Sequence, residues 1–213
     1  MVNKLHDINF YFITGSSLSK NGVISDVKGA IKAWCKIIQY REKNKEAKYM
    51  LKEAKEIKKL CRNRAIFLIN DRIDIALAVD ADGVHLGQND FPYNYARNLL
   101  GKNKIIGLSA HSLKDALHNQ RIGADYTSIG PIYNTSTKKD VKPIGLEPIR
   151  QLNKRLKIPI VAIGGINKQN VAEVIKAGAD SAAAISAVLS GDVEKEVSDF
   201  IKIINENKKY QVL

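Results

Sequence analysis

Short apolar, β-branched runs alternate with longer amphipathic runs along all 213 residues, and this alternation constrains the fold more than any other feature of the chain. The short runs cover 8–14, 37–42, 65–70, 83–86, 105–109, 126–130, 160–164 and 182–186. The longer ones cover 27–34, 46–61, 73–79, 92–100, 113–122, 146–156, 169–177 and 193–207. In the last of these, Val193, Val197, Ile201 and Ile204 recur at spacings of four and three, the stripe of a helix packed on one side. Strands that are apolar along their whole length leave no face for water, so they predict a parallel sheet covered by the intervening helices. Eight strand–helix units predict an α/β fold, a single-domain TIM (β/α)8 barrel over residues 1–213. An open doubly wound sheet would carry a glycine fingerprint after its first strand. The chain instead reads Gly15-Ser16-Ser17-Leu18-Ser19 there.

Composition narrows the function classes. Hydrophobic residues make up 45% and charged residues 26%, a soluble globular mixture that needs neither disulfides nor a structural metal to hold a core. Cys35 and Cys61 have no CxxC partner and no metal-ligand spacing, which fits incidental thiols in a reducing cytosol. No window approaches the roughly 20 apolar residues that span a bilayer. The polar opening residues lead straight into an apolar run rather than forming a signal peptide. A cytoplasmic protein with no membrane partner is expected; a homo-oligomer is neither demanded nor excluded. The net charge of +12 admits nucleic acid, phosphate-bearing small molecules or a lysine-rich solvated surface. Lys45, Lys48, Lys52, Lys55, Lys58 and Lys59 lie along one predicted helix with no nucleic-acid-binding signature beside them, so no nucleic-acid partner is expected.

A barrel places its chemistry at the carboxyl ends of its strands. The second strand ends Gln39-Tyr40-Arg41-Glu42-Lys43, and strand alternation sends Gln39, Arg41 and Lys43 to one side, Tyr40 and Glu42 to the other. Two cations aimed into a barrel mouth are costly unless an anion meets them. A phosphate or diphosphate ligand explains them; a solvated strand end paired through Glu42 is the plain alternative. Asn70-Asp71 closes the third strand, and Asp90 follows the fourth in Gly87-Gln88-Asn89-Asp90. Mg2+ typically takes one or two carboxylates plus substrate phosphate oxygens, so this pair facing Arg41 and Lys43 suits a metal-bound diphosphate. Either aspartate singly could instead cap the helix after it. His85, inside the fourth strand, reads as structural.

Ser109, in Gly107-Leu108-Ser109-Ala110-His111, is placed to donate to a phosphate or a heteroaromatic nitrogen, while His111 could belong to the next turn. No GxSxG elbow supports a Ser–His nucleophile. After the sixth strand, the hydroxyl residues Thr135, Ser136 and Thr137 precede Lys138 and Lys139, a donor-rich loop suited to anion capture and leaving-group stabilisation. A polar surface loop is the alternative. The last two strands run into Ile163-Gly164-Gly165-Ile166-Asn167 and Ala184-Ile185-Ser186-Ala187. That is where many TIM barrels bind phosphate on backbone N–H groups. Two anion sites on one rim are expected, with paired carboxylates at only one.

These stretches together resemble the thiamine phosphate synthase family. The resemblance is carried by QYREK at 39–43, FLINDRIDIALAVDADGVHLGQND at 67–90, GLSAH at 107–111, IGPIYNTSTKKD at 129–140 and PIVAIGGIN at 159–167, in the same order over most of the barrel. It implies that Gln39, Tyr40, Arg41, Glu42, Lys43, Asn70, Ser109 and Lys138 hold 4-amino-2-methyl-5-hydroxymethylpyrimidine diphosphate. It implies Mg2+ on Asp71 and Asp90, and a hydroxyethylthiazole phosphate on Thr135, Ser136, Thr137, Gly164, Gly165, Ile185 and Ser186. The implied reaction is a substitution at the pyrimidine methylene that releases pyrophosphate and gives thiamine phosphate. An amino-substituted ring can stabilise a cationic methylene, so the path is expected to be dissociative, with Arg41, Lys43, Ser109 and Lys138 as the catalytic groups and no protein nucleophile. Ala33-Trp34-Cys35-Lys36 and Ser181 depart from the small or glycine residues expected at those places. A thiazole tautomerase on the same barrel would carry a histidine in the loop after the sixth strand, where this chain reads Gly130-Pro131-Ile132-Tyr133. A non-catalytic phosphate-binding barrel would be expected to have lost an aspartate or the lysine loop.

Overall fold

The computed structural model describes Leu5, residues 8–135 and residues 142–208. Eight parallel strands close into a barrel in chain order, β8 pairing with β1. They are β1 Phe10–Ile13, β2 Ile37–Tyr40, β3 Ile66–Asn70, β4 Gly83–Leu86, β5 Ile105–Ala110, β6 Tyr126–Ile129, β7 Ile160–Ile163 and β8 Ser181–Ala184. The helices are α1 Val23–Lys32, α2 Ala47–Cys61, α3 Ile73–Ala78, α4 Tyr93–Leu100, α5 Leu113–Ile122, α6 Glu147–Asn153, α7 Val171–Lys176, α8 Ser186–Leu189 and α9 Val193–Lys208. The TIM barrel expected from the alternation is the fold observed.

Strand alternation sorts the core into two parts. In β1, Tyr11 and Ile13 join Ile37, Leu68, Tyr126, Val161 and Ala183 inside the barrel. Phe10 and Phe12 face outward and pack with Val27, Ala54, Ile57, Phe200 and Ile204 of the helical layer. Each such buried large side chain stabilises the fold by roughly 1.5–3 kcal/mol. The ring of Phe10 stacks on Phe200 at 4.8 Å, tying α9 to the first strand and completing the outer ring.

The lower rim is held by a repeated device. Asp82 accepts from the Phe67 N–H at 2.8 Å, Asp125 from Ile106 N–H at 2.8 Å, and Asp180 from Ile160 N–H at 2.7 Å. In each case the residue before one strand satisfies a donor near the start of its neighbour.

Differences from the expected elements and residues have local causes. Helix α1 begins at Val23, four residues early, because Val23, Val27, Ala30 and Ile31 form one continuous buried face. The strand expected to reach residue 186 stops at Ala184. Ile185 leaves the extended conformation (φ −115°, ψ −73°), and a separate helix, α8, starts at Ser186. Trp34, where a small residue was expected, takes a left-handed φ of 64° and remains 80% exposed. Ser181 is fully buried and donates to the Asn9 carbonyl at 2.5 Å, so its hydroxyl is satisfied where glycine would have none. No helix among the described residues is long and apolar enough to cross a membrane.

Candidate active site

The strand ends enclose a cavity of about 530 Å3, in the range of small-molecule sites. Its wall includes Gln39 of β2, Arg41 just after it, Asn70 of β3, Ser109 of β5 and Thr135 of the loop after β6. On the opposite side it includes Gly164, Gly165, Ile185 and Ser186. Residues expected for the two anion sites thus share one cavity. Lys43, Asp71 and Asp90 lie beside its wall rather than on it, joined through Asn70, whose Nδ2 donates to Asp71 Oδ1 at 2.7 Å. Ser136, Thr137 and Lys138 lie outside the described residues.

Tyr40 and Glu42 do not face the cavity, which corrects the expectation that they line the ligand site. Tyr40 is fully buried in the layer between sheet and helices, and its hydroxyl donates to Glu53 of α2 at 2.7 Å. Glu42 accepts from the N–H groups of Lys43 and Asn44 at 2.8 and 3.0 Å, shaping the turn that carries Lys43. Lys45 pairs with both Glu42 and Glu53. The physical reason is the strand period: with Gln39 and Arg41 pointing inward, their odd-even partners point outward. Thr14 fixes Arg41 from the other side. Its hydroxyl accepts from Arg41 N–H at 2.9 Å and donates to Arg41 O at 3.2 Å.

Asp71 holds a positive φ of 60°, a strained conformation of the kind that clusters at functional sites. Its N–H bonds the His85 carbonyl at 2.9 Å, and its carboxyl contacts the Lys43 ammonium. Asp90 accepts from Gly87 N–H at 2.7 Å. Neither aspartate caps a helix: the N-cap positions of α3 and α4 are Arg72 and Pro92, without side-chain caps. Burial, opposed by Lys43 and reinforced by Asp90, raises the Asp71 carboxyl above its ordinary range. Burial also works against ionised Asp90, but hydrogen bonds from Asp71 and Gly87 N–H outweigh it and hold its carboxyl low. Asn70 Oδ1 beside them is buried with no hydrogen-bond partner among the described residues. Two carboxylates and an unpartnered amide oxygen are hard donors, a set that fits Mg2+ completed by water and substrate oxygens.

Across the cavity, Gly165 has φ 67°, and a Cβ there would lie 2.4 Å from Asn134 O. Only glycine lets the loops after β6 and β7 approach this closely. Asn170 Nδ2 donates to Gly165 O at 3.0 Å and fixes the loop.

Reading strand ends alone missed the cavity floor, one inward position deeper. Tyr11, His85 and Ser128 lie there. His85 Nε2 is 3.0 Å from Ser109 Oγ, and its Nδ1 is 2.8 Å from the Tyr126 hydroxyl. The period-2 alternation that makes Ile13 inward also makes Tyr11 inward, so a signal for it was present. His111 belongs to the turn as expected: Nδ1 donates to Gly130 O at 2.7 Å and its N–H to Asp115 at 3.0 Å.

Known proteins resemble this chain over most of its length. A family model described as Thiamine monophosphate synthase matches residues 10–188. A thiamine-phosphate synthase of Methanosarcina mazei is 57% identical over 206 residues, covering 96% of this chain and 86% of that protein. One from Methanosarcina barkeri is 54% identical over 207 residues, covering 96% and 94%. The solved thiamine phosphate pyrophosphorylase from Pyrococcus furiosus superposes with a TM-score of 0.87 at 42% identity, covering 96% of this chain and 98% of that one.

Proposed function

Since the chain belongs to the thiamine monophosphate synthase family, and so is a transferase that makes thiamine phosphate, we propose how its rim divides the work. The pyrimidine diphosphate binds toward Gln39, Arg41, Asn70 and Ser109. The thiazole phosphate binds toward Thr135, Gly164, Gly165, Ile185 and Ser186, with Ser136 and Thr137 contributing from the same loop. Asp71 and Asp90 hold Mg2+, which would supply positive charge to the diphosphate as it leaves.

The chain's own residues do the rest. Arg41 offers a planar fork to phosphate oxygens, and its backbone is already fixed by Thr14. Lys43, held beside Asp71, and Lys138 neutralise charge that builds on the leaving group. Ser109 orients the pyrimidine. No side chain is asked to act as nucleophile, because pyrophosphate departs first, the amino-substituted ring stabilises the methylene cation, and the thiazole nitrogen then attacks it. The reaction is then chiefly one of alignment, for which two reactants held in one cavity gain most.

The single observation that carries this reading is that the cationic end at Arg41 and the glycine-lined end at Gly165 and Ser186 open into the same cavity. The buried free thiols Cys35 and Cys61 support a reducing, cytoplasmic setting; burial pushes the Cys35 thiol up to about 12, away from reactivity. The test is incubation with both substrates and Mg2+, measuring pyrophosphate and thiamine phosphate. Equimolar products are expected; no product where a control synthase turns over overturns the reading.

A further inference from the structure

Beneath the cavity, buried polar groups run in an unbroken line that the chemistry above leaves without a role. Gln39 Nε2 donates to the Tyr11 hydroxyl at 2.7 Å. The Tyr11 and Tyr126 hydroxyls are 2.6 Å apart, and Tyr126 is 2.8 Å from His85 Nδ1. His85 Nε2 lies 3.0 Å from Ser109 Oγ and 3.4 Å from Ser128 Oγ. The line crosses the barrel from β2 through β1, β6 and β4 to β5, and both its ends, Gln39 and Ser109, line the cavity. Tyr11 and Tyr126 are 1% and 0% exposed. Gly107 makes room for the line, because a Cβ there would overlap the Tyr126 ring at 1.9 Å.

With a Gln39 N–H given to Tyr11 and the imidazole neutral, proton counting sets the direction of every other bond. A phenol has one proton to give, and so has a neutral imidazole. Tyr11 accepts from the Gln39 amide, so it must donate to Tyr126. Tyr126 then donates to His85 Nδ1, which leaves the imidazole proton on Nε2, facing Ser109. Ser109 accepts it and has its own proton free for the ligand. Burial raises both phenols above their ordinary values, which keeps them protonated for this duty. At the other end Gln39 gives one of its two amide N–H groups to Tyr11, and its amide oxygen is the acceptor it offers. Turning any one link turns them all, so the hydrogen-bonding characters of Gln39 and Ser109 are coupled through the barrel interior.

We propose that Tyr11, Tyr126 and His85 form a positioning relay that fixes Ser109 as a donor and Gln39 as an acceptor, selecting an amino-substituted pyrimidine over its oxo counterpart. An amino ring presents N–H donors beside acceptor ring nitrogens. In a 4-oxo ring the exocyclic group accepts and the neighbouring nitrogen donates, the reverse pattern. The proposal rests on the reading that Gln39 and Ser109 hold the pyrimidine, and two measurements separate the two ideas.

The first needs no substrate and no relay variant. Long-range 1H–15N correlation spectra of the wild-type protein, with His85 assigned by loss of its signals in His85→Asn, should show a protonated Nε2 and a bare Nδ1. A proton on Nδ1 overturns the relay. The second is calorimetric binding of the pyrimidine diphosphate and its 4-oxo analogue to wild type, Tyr126→Phe and Tyr11→Phe, with thiazole phosphate binding as the control for folding. In wild type the amino ring should bind at least about tenfold more tightly, the factor expected of one mismatched buried hydrogen bond. In Tyr126→Phe that preference should collapse toward equality while thiazole phosphate binding is unchanged, and Tyr11→Phe should follow it. Preference retained in both variants overturns the relay, whereas absence of preference in wild type overturns the assignment of Gln39 and Ser109 to the pyrimidine.

Discussion

Trp34 and Asp71 share a backbone conformation that side chains rarely adopt, with φ of 64° and 60°, for different reasons. Trp34 ends the α1 turn: its N–H bonds the Ile31 carbonyl at 3.0 Å, and its large ring remains in solvent. The left-handed conformation costs a non-glycine residue about 1–2 kcal/mol, and glycine loses part of that gain to the greater freedom of its unfolded chain. Trp34→Gly should therefore stabilise the fold by about 0.5–1 kcal/mol. Denaturant titration checks this; an unchanged or lower midpoint rejects it. Asp71 is strained beside a second carboxyl and a lysine. Asp71→Ala should lower turnover by at least roughly tenfold while leaving the affinity for thiazole phosphate unchanged. Equal losses in both would argue against its place on the diphosphate side.

The strands contribute inward residues to the site and outward residues to the helical layer, and the second strand illustrates both. Gln39 and Arg41 enter the cavity; Tyr40 and Glu42 build the support behind them through Glu53 and Lys45. The resemblance alone grouped all five residues of QYREK as ligands, but alternation had already assigned Tyr40 and Glu42 to the other side. The opposite rim of the barrel carries stability instead of chemistry. Asp125 there joins Ile106 N–H at 2.8 Å and Arg97 at 2.6 Å. Removing it leaves a backbone donor and a guanidinium short of a partner, so Asp125→Ala should cost about 1–3 kcal/mol of stability. Near-wild-type turnover below the melting point is expected with it, and a melting temperature equal to wild type would refute the assignment. Helix α8 was not legible as a helix, because four residues are too few to show a period of 3.6.

Across the whole molecule, closure of the sheet turns a row of strand ends into a chamber. Arg41, Asn70, Ser109, Gly165 and Ser186 are scattered from residue 41 to residue 186, yet they face one cavity of about 530 Å3. The barrel and the rim positions were readable from the chain itself. Their signals are periodicities of two and 3.6 residues, and these are local properties that any short window displays. The residue types on the rim were readable too, although each carried a plain alternative in the sequence: a solvated strand end, a helix cap or a polar surface loop. Two arrangements were not readable: the Tyr40–Glu53 support, and the line from Gln39 through Tyr11, Tyr126 and His85 to Ser109. Each depends on distances between strands or layers that are remote in sequence. Those distances are set by closure and by how far each side chain reaches across the interior. His85 illustrates the difference: its place inside a strand is written in the chain, but the groups from β5 and β6 that meet its ring do so only once the barrel has closed.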